Sequence, residues 1–137
     1  MGSLICEIVT PASLLFSEEV HFVSVPAAEG EIGVLARRAP FMSTINRGVV
    51  RVKREENSEV IAFAVSGGYV ETDGDKVVVL ASRAEEVGTL GLESVREQKA
   101  ENEKKLATLP AEDPRGAFYR DELAWYTLLE TQLTSPR

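Results

Sequence analysis

Few residues in this chain are of types that do chemistry. It holds one cysteine and one histidine, which rules out an internal disulfide and a His-rich metal site. Cys6 sits among Leu4, Ile5, Ile8 and Val9 and reads as a buried structural thiol; the alternative, a nucleophile, would need an activating base. His21 lies on a predicted strand with no Cys or His beside it, so neither a Ser-His-Asp nor a Cys-His set is credible. The carboxylate pairs Glu18–Glu19, Glu55–Glu56 and Glu85–Glu86 are adjacent in sequence. Neighbouring strand residues point to opposite faces, so such pairs read as solvated charge and not as an acid/base dyad. The glycine pair in "SGGYVE", residues 66–71, lies between predicted strands and not at a helix N-terminus, which makes it a bulge or a close backbone approach. Neither dinucleotide nor Walker phosphate-loop spacing occurs. These absences point away from an enzyme and toward a binding or coupling protein.

The net charge of −7 argues against nucleic acid as a partner, since gripping phosphates takes a basic face. Residues 1–86 carry 8 Lys and Arg against 13 Asp and Glu, and residues 87–137 carry 7 against 9, so neither half is basic. The apolar share of 44% suits a soluble globular chain. The apolar runs are a handful of residues, far below the ~20 that span a bilayer. No basic segment followed by an apolar one opens the chain, and "MGSLIC" has Cys6 where a myristoylation pattern has Ser or Thr, so a cytosolic protein is expected.

The chemistry-poor residues must be positioned by two kinds of element. Residues 1–86 read as strands: Glu18–Val25, Val49–Lys53, Val60–Val65, Tyr69–Thr72 and Lys76–Ala81 are short, rich in Val, Ile and Phe, and separated by turn residues. Asp73-Gly74 marks a hairpin, because glycine accepts the positive φ of a tight turn. The stretch "AAEGEIGVLARRAP", residues 27–40, reads as a loop that crowds two glutamates and two arginines together. Residues 87–137 change character. Residues 92–109 hold helix formers, with Leu92, Val95, Leu106 and Leu109 near one stripe that Lys99 and Asn102 interrupt. "PAEDPRG" breaks this helix, and Asp113-Pro114 is an N-cap and first-turn pair for a second helix over 117–133. On that helix Phe118, Trp125, Leu129 and Leu133 share a face with Tyr126 beside it. The expected architecture is mainly β plus α: an N-terminal antiparallel β-sandwich followed by a C-terminal two-helix antiparallel hairpin.

Two blocks carry a resemblance to a known family. "PAAEGEIGVLARRAPF" and "SGGYVETDGDKVVVLASRAEE" resemble the signature blocks of the epsilon subunit of the F-type ATP synthase, the equivalent of the mitochondrial delta subunit. Together with the order of sandwich and helices, the likeness covers nearly the whole chain. It implies a non-catalytic central-stalk subunit at the cytoplasmic face of the bacterial plasma membrane. Such a subunit binds gamma and the ring of c subunits, meets the membrane only through that ring, and couples proton-driven rotation to ATP synthesis. The helices, when extended, reach the alpha/beta catalytic head and can restrain hydrolysis.

By the same resemblance Glu29, Gly30, Glu31 and Arg38 contact the c-ring, the glycine turning the loop and the charges fixing register. Where the family has Pro-Gly-His before Ala-Pro, this chain has Ala36, Arg37 and Arg38. No resident cofactor is implied. Some bacterial members bind a regulatory ATP at the start of the first helix; Leu92 and Arg96 keep that pattern, while Glu93 and Glu97 depart from it. Phe118, Trp125 and Tyr126 either pack the hairpin or meet gamma. The alternative to this whole reading is a free-standing β-sandwich ligand-binding module with a helical tail.

Overall fold

A computed structural model describes residues 4–135, so the start of the N-terminal "MGSLIC" reading lies outside the described residues. Eight strands come first: β1 Leu4–Val9, β2 Leu14–Val20, β3 Phe22–Ala27, β4 Gly30–Val34, β5 Phe41–Thr44, β6 Gly48–Lys53, β7 Ile61–Thr72 and β8 Lys76–Glu86. A short 3-10 turn at Val87–Thr89 and two helices follow, α1 Leu92–Ala107 and α2 Arg115–Thr134. The strands hydrogen-bond in the order β2-β1-β8-β7-β6-β3-β4, with β5 also on β7. Every ladder is antiparallel except β1 on β8, where Cys6 pairs with Val77 and Ile8 with Val79 in parallel.

One continuous ladder makes a sandwich because its two long strands cross between layers. The N-terminal half of β7 pairs with β6 and its C-terminal half with β5, in one unbroken register. Core-facing residues run Phe63 and Val65, then change parity to Val70; on β8 they run Val77, Val79 and Ala81, then change to Ala84. The switch falls at Gly67 and Gly68, whose φ angles are +72° and +100°. A Cβ on Gly68 would lie 1.8 Å from the carbonyl oxygen of Leu80, so the bend requires glycine twice over, for backbone angle and for space. The pair read from sequence as a gap between strands is the bend inside one 12-residue strand.

Between the layers lies one apolar core. Leu4, Ile8, Val23, Val25, Val34, Val50, Val52, Phe63, Val65, Val70, Val77 and Val79 are all 0% exposed. β-branched side chains suit this pleated, two-sided burial. Phe16 meets Phe63 edge to face, centroids 5.3 Å apart. Cys6 belongs to this core, and burial pushes its thiol up to about 12, with Glu7 adding to the effect.

The chain divides into two compact units after Gly88. In the second unit α1 and α2 form an antiparallel hairpin, since Glu130 near the end of α2 reaches Arg96 and Lys99 near the start of α1. The N-cap of α2 is Pro114, with no side-chain cap bond, and not Asp113 as expected; Asp113 lies one residue earlier, where its Oδ1 accepts the Arg115 N–H at 2.9 Å. Bonds from the Arg115 side chain and N–H hold the Asp113 carboxyl down at about 2. Trp125 and Leu129 are buried, whereas Phe118 is 60% exposed and stacks edge to face on Tyr119 at 5.2 Å. Phe118 therefore does not share the buried face assigned to it; it lies in the first turn of α2. Lys99 and Asn102 do not interrupt the stripe of α1 either. Asn102 is buried on it, and Lys99 bonds Glu130 from it.

Candidate functional site

The segment 27–40, expected as a loop, is a hairpin followed by a turn. β3 and β4 pair from Val23 with Val34 to Ala27 with Gly30, leaving Ala28 and Glu29 as the connecting pair. Gly30 has φ +127° with nothing within 4 Å of a hypothetical Cβ, so glycine is needed there for backbone angle alone. The tip is clamped from β5 and its exit. The Ala28 N–H donates to the Thr44 carbonyl at 3.0 Å and to Ser43 Oγ at 3.3 Å. The Asn46 backbone N–H donates to Pro26 O at 2.7 Å, and its side-chain Nδ2 donates to Ala27 O at 3.1 Å. Glu29 is thus an exposed carboxylate on a turn held at its base.

Glu31 is already engaged within the sheet. Across β3 from it, on β6, Arg51 places NH1 3.1 Å from Glu31 Oε2. Both side chains are about half exposed, so the pair is worth at most ~1 kcal/mol and leaves the carboxylate accessible. Arg38 does not join the glutamates. Its NH1 donates to Gly33 O at 3.4 Å, and its guanidinium lies 4.9 Å from the Phe41 ring centroid. Because β4 ends the sheet, this bond covers one carbonyl of an open edge. The structure brings Glu29, Gly30 and Glu31 together at one tip and places Arg38 on the strand edge beyond it.

Arg37 is a backbone outlier. Its φ is +68°, and it is the one non-glycine residue with positive φ among the described residues. A side chain in that region costs of order 1 kcal/mol. The Arg37 N–H donates to Gly74 O at 2.6 Å, and a Cβ on Gly74 would lie 3.1 Å from Arg38 O, so the two turns are packed backbone to backbone. The Gly74 turn is tied down in turn by Asp73, whose Oδ1 accepts the N–H groups of Asp75 and Lys76 at 2.9 and 3.0 Å; these bonds hold its carboxyl below the usual range.

A second surface is apolar. Outward-facing residues of one layer line up across four strands: Tyr69 pairs with Leu80, Leu80 with Val9, and Val9 with Leu14. Met42, on β5 beside them, is 64% exposed and Leu14 58%.

On the helical unit, Leu92, Glu93, Arg96, Glu97 and Ala100 line a shallow groove along α1. Arg96 Nε lies 2.9 Å from Glu130 Oε2, and Lys99 Nζ lies 2.8 Å from Glu130 Oε1. These bonds hold the Glu130 carboxyl below its ordinary value, the Lys99 bond foremost. A phosphate at Arg96 would compete with Glu130 and face Glu93 and Glu97. Trp125 is buried and Tyr126 half-buried in the same unit. Among the described residues no three His, Cys, Asp or Glu side chains cluster to hold a metal, and no helix is long and apolar enough to cross a membrane.

Residues 3–87, the whole sandwich, match the β-sandwich domain of the ATP synthase delta/epsilon chain. The chain belongs to that family. Its relatives include the ATP synthase epsilon chain of Desulforamulus reducens, 37% identical over 100 residues that span 73% of this chain and 74% of the relative. The epsilon chain of Pelotomaculum thermopropionicum is 40% identical over 98 residues, 69% of this chain and 72% of the relative. A chain in the Euglena gracilis mitochondrial ATP synthase OSCP/F1/c-ring assembly shares the fold, with a TM-score of 0.77 at 19% identity over 97% of this chain and 82% of that one.

Sequence reasoning missed the part that three residues play at these surfaces: Asn46, Arg51 and Glu130. Arg51 lies in "VVRVKR", whose alternation marks it as outward-facing, but only the order of strands reveals Glu31 as its neighbour.

Proposed function

We propose that this chain is a non-catalytic central-stalk subunit of an F-type ATP synthase. It binds gamma, rests on the c-ring at the cytoplasmic face of the plasma membrane, and helps couple proton-driven rotation to ATP synthesis. The observation that carries the reading is the β3–β4 tip, which presents Glu29 on a turn clamped by Ser43, Thr44 and Asn46. A rigid acidic tip suits a contact that must transmit torque without yielding, and complementary rim charges fix register more than affinity. The open row of Tyr69, Leu80, Val9 and Leu14 is the surface for gamma, because an apolar sheet face of this kind marks a protein interface. The helical hairpin serves as the element that can extend toward the alpha/beta head and restrain hydrolysis.

Glu29→Lys is the cleaner test of the tip, since Glu31→Lys would also break the pair with Arg51. In a complex rebuilt with the variant, ATP-driven proton pumping should fall while the chain stays folded. Full pumping would reduce the tip to a solvated turn. For nucleotide, the proposal is that Leu92 and Arg96 bind ATP only when Glu130 lets Arg96 go. Glu130→Gln should then raise ATP affinity of the full chain, and equal binding by both forms would remove the site.

A further inference from the structure

We propose that Arg37 is a specificity-determining contact, an arginine displayed for a carboxylate on the protein partner that the sandwich docks against. The inference rests on the docking reading above and names the partner chemistry at a position that reading does not use.

Its backbone pays for an arginine that folding does not need. At φ +68° glycine or asparagine would sit without strain. The residue's one local bond is made by its backbone N–H to Gly74 O at 2.6 Å, which any residue but proline would make. The guanidinium is exposed, and no ion pair holds it among the described residues. The carboxylate of Asp73, in the turn packed against Arg37, is turned onto its own backbone N–H groups. Its neighbour Arg38, by contrast, is used internally, on Gly33 O and the Phe41 ring. A strained position holding a long, unpaired cation is what a binding contact looks like, because strain persists where function offsets it.

The surroundings choose between anionic partners. Asp73 and Asp75 stand in the turn against which Arg37 packs, and the chain carries −7 overall. A uniformly anionic lipid surface would repel those groups, whereas a protein surface of mixed charge can place one carboxylate opposite Arg37. Leu35, 52% exposed two residues away, supplies an apolar neighbour for such a contact.

The test uses the full chain with Arg37→Gly, Arg37→Asn and Arg37→Lys, measured for thermal midpoint and for binding to complexes stripped of this subunit. The glycine and asparagine variants should melt higher than the parent yet bind about threefold more weakly, as for one rim ion pair. The lysine variant should keep most of the affinity. Loss of affinity should shrink as salt rises. Glycine and asparagine variants that bind as tightly as the parent would overturn the proposal, as would unchanged midpoints, which would remove the strain. Parent chain that binds phosphatidylserine vesicles through Arg37 without the complex would assign the contact to lipid and also overturn it. Glu29→Lys in parallel separates the two levels: if it loses binding while Arg37→Gly does not, the docking reading stands and this inference alone fails.

Discussion

In the sandwich, twelve of the largest core side chains from β1, β3, β4, β6, β7 and β8 are completely shielded from solvent. In the helical hairpin, α1 buries Val95 and Asn102, and α2 buries Gly116, Trp125 and Leu129. The first unit is held by apolar volume and by glycine-dependent backbone; the second by one large indole and a polar seam in which Glu130 joins Arg96 and Lys99. A unit held by volume has one arrangement, because its close-packed side chains leave few alternatives. A unit held by one indole and partly exposed ion pairs opens at smaller cost than one held by apolar volume.

The largest effect should come from the bend. Gly68→Ala puts a methyl 1.8 Å from a backbone oxygen at φ +100°, and neither strand of the β7–β8 hairpin can move alone. Loss of about 4 kcal/mol, or failure to fold, is expected in urea denaturation. A variant of near-parental stability would mean that the sandwich is more yielding than its core implies. Trp125→Ala should come next, at about 3 kcal/mol on the helical unit. Amide exchange should speed in α1 and α2 while the core amides of β7 and β8 keep their protection. Loss of protection in both units would show that they do not open separately.

These two residues also mark what was legible beforehand. Trp125 was placed on one face with Leu129 from helical spacing alone, with packing of the hairpin as one of two readings, and the Asp73-Gly74 hairpin from local turn chemistry, because both depend on residues near in sequence. Gly67-Gly68 was read as a bulge or close approach between two strands and not as a crossing between layers inside one, since that depends on β5 and β6 lying end to end along β7. β4 was hidden in a supposed loop because Gly30 and Gly33 lower its strand propensity, while the ladder to β3 restores it. β1 was not assigned, although its Cys6 was read as buried. Lys99 and Asn102 looked like breaks in a stripe because hydropathy scores both as polar, although Asn102 is buried with its amide on Gln98 O and Lys99 bonds Glu130 from a partly covered position. At the β3–β4 tip, the grouping of Glu29, Gly30 and Glu31 was legible; Asn46 and Arg51, which bond to it from outside the hairpin, were not.

A smaller effect is read in the hairpin by pH. Bonds to Lys99 and Arg96 keep Glu130 ionised below its ordinary 4.5, and Asp113 is held at about 2 against 3.8. A carboxyl whose folded value is depressed stabilises the folded state above its unfolded value and loses that contribution as pH falls through the folded one. The hairpin should therefore loosen between about pH 4.5 and 2, read by Trp125 fluorescence. Glu130→Gln should flatten the upper part of that limb and lower hairpin stability at pH 7. An unchanged profile would mean that the seam does not hold the helices.

The smallest perturbation is none at all, because each unit carries its own reporter. Cys6 is fully shielded, and its thiol is raised to about 12, so at pH 8 it is both inaccessible and protonated. Its reaction with an aromatic disulfide reagent should proceed only through opening of the sandwich, while Trp125 emission follows opening of the hairpin. At low denaturant the tryptophan signal should move first, with the thiol still unreactive. Under conditions where both change together, the difference between a core held by volume and a hairpin held by one indole and a polar seam would have no energetic consequence.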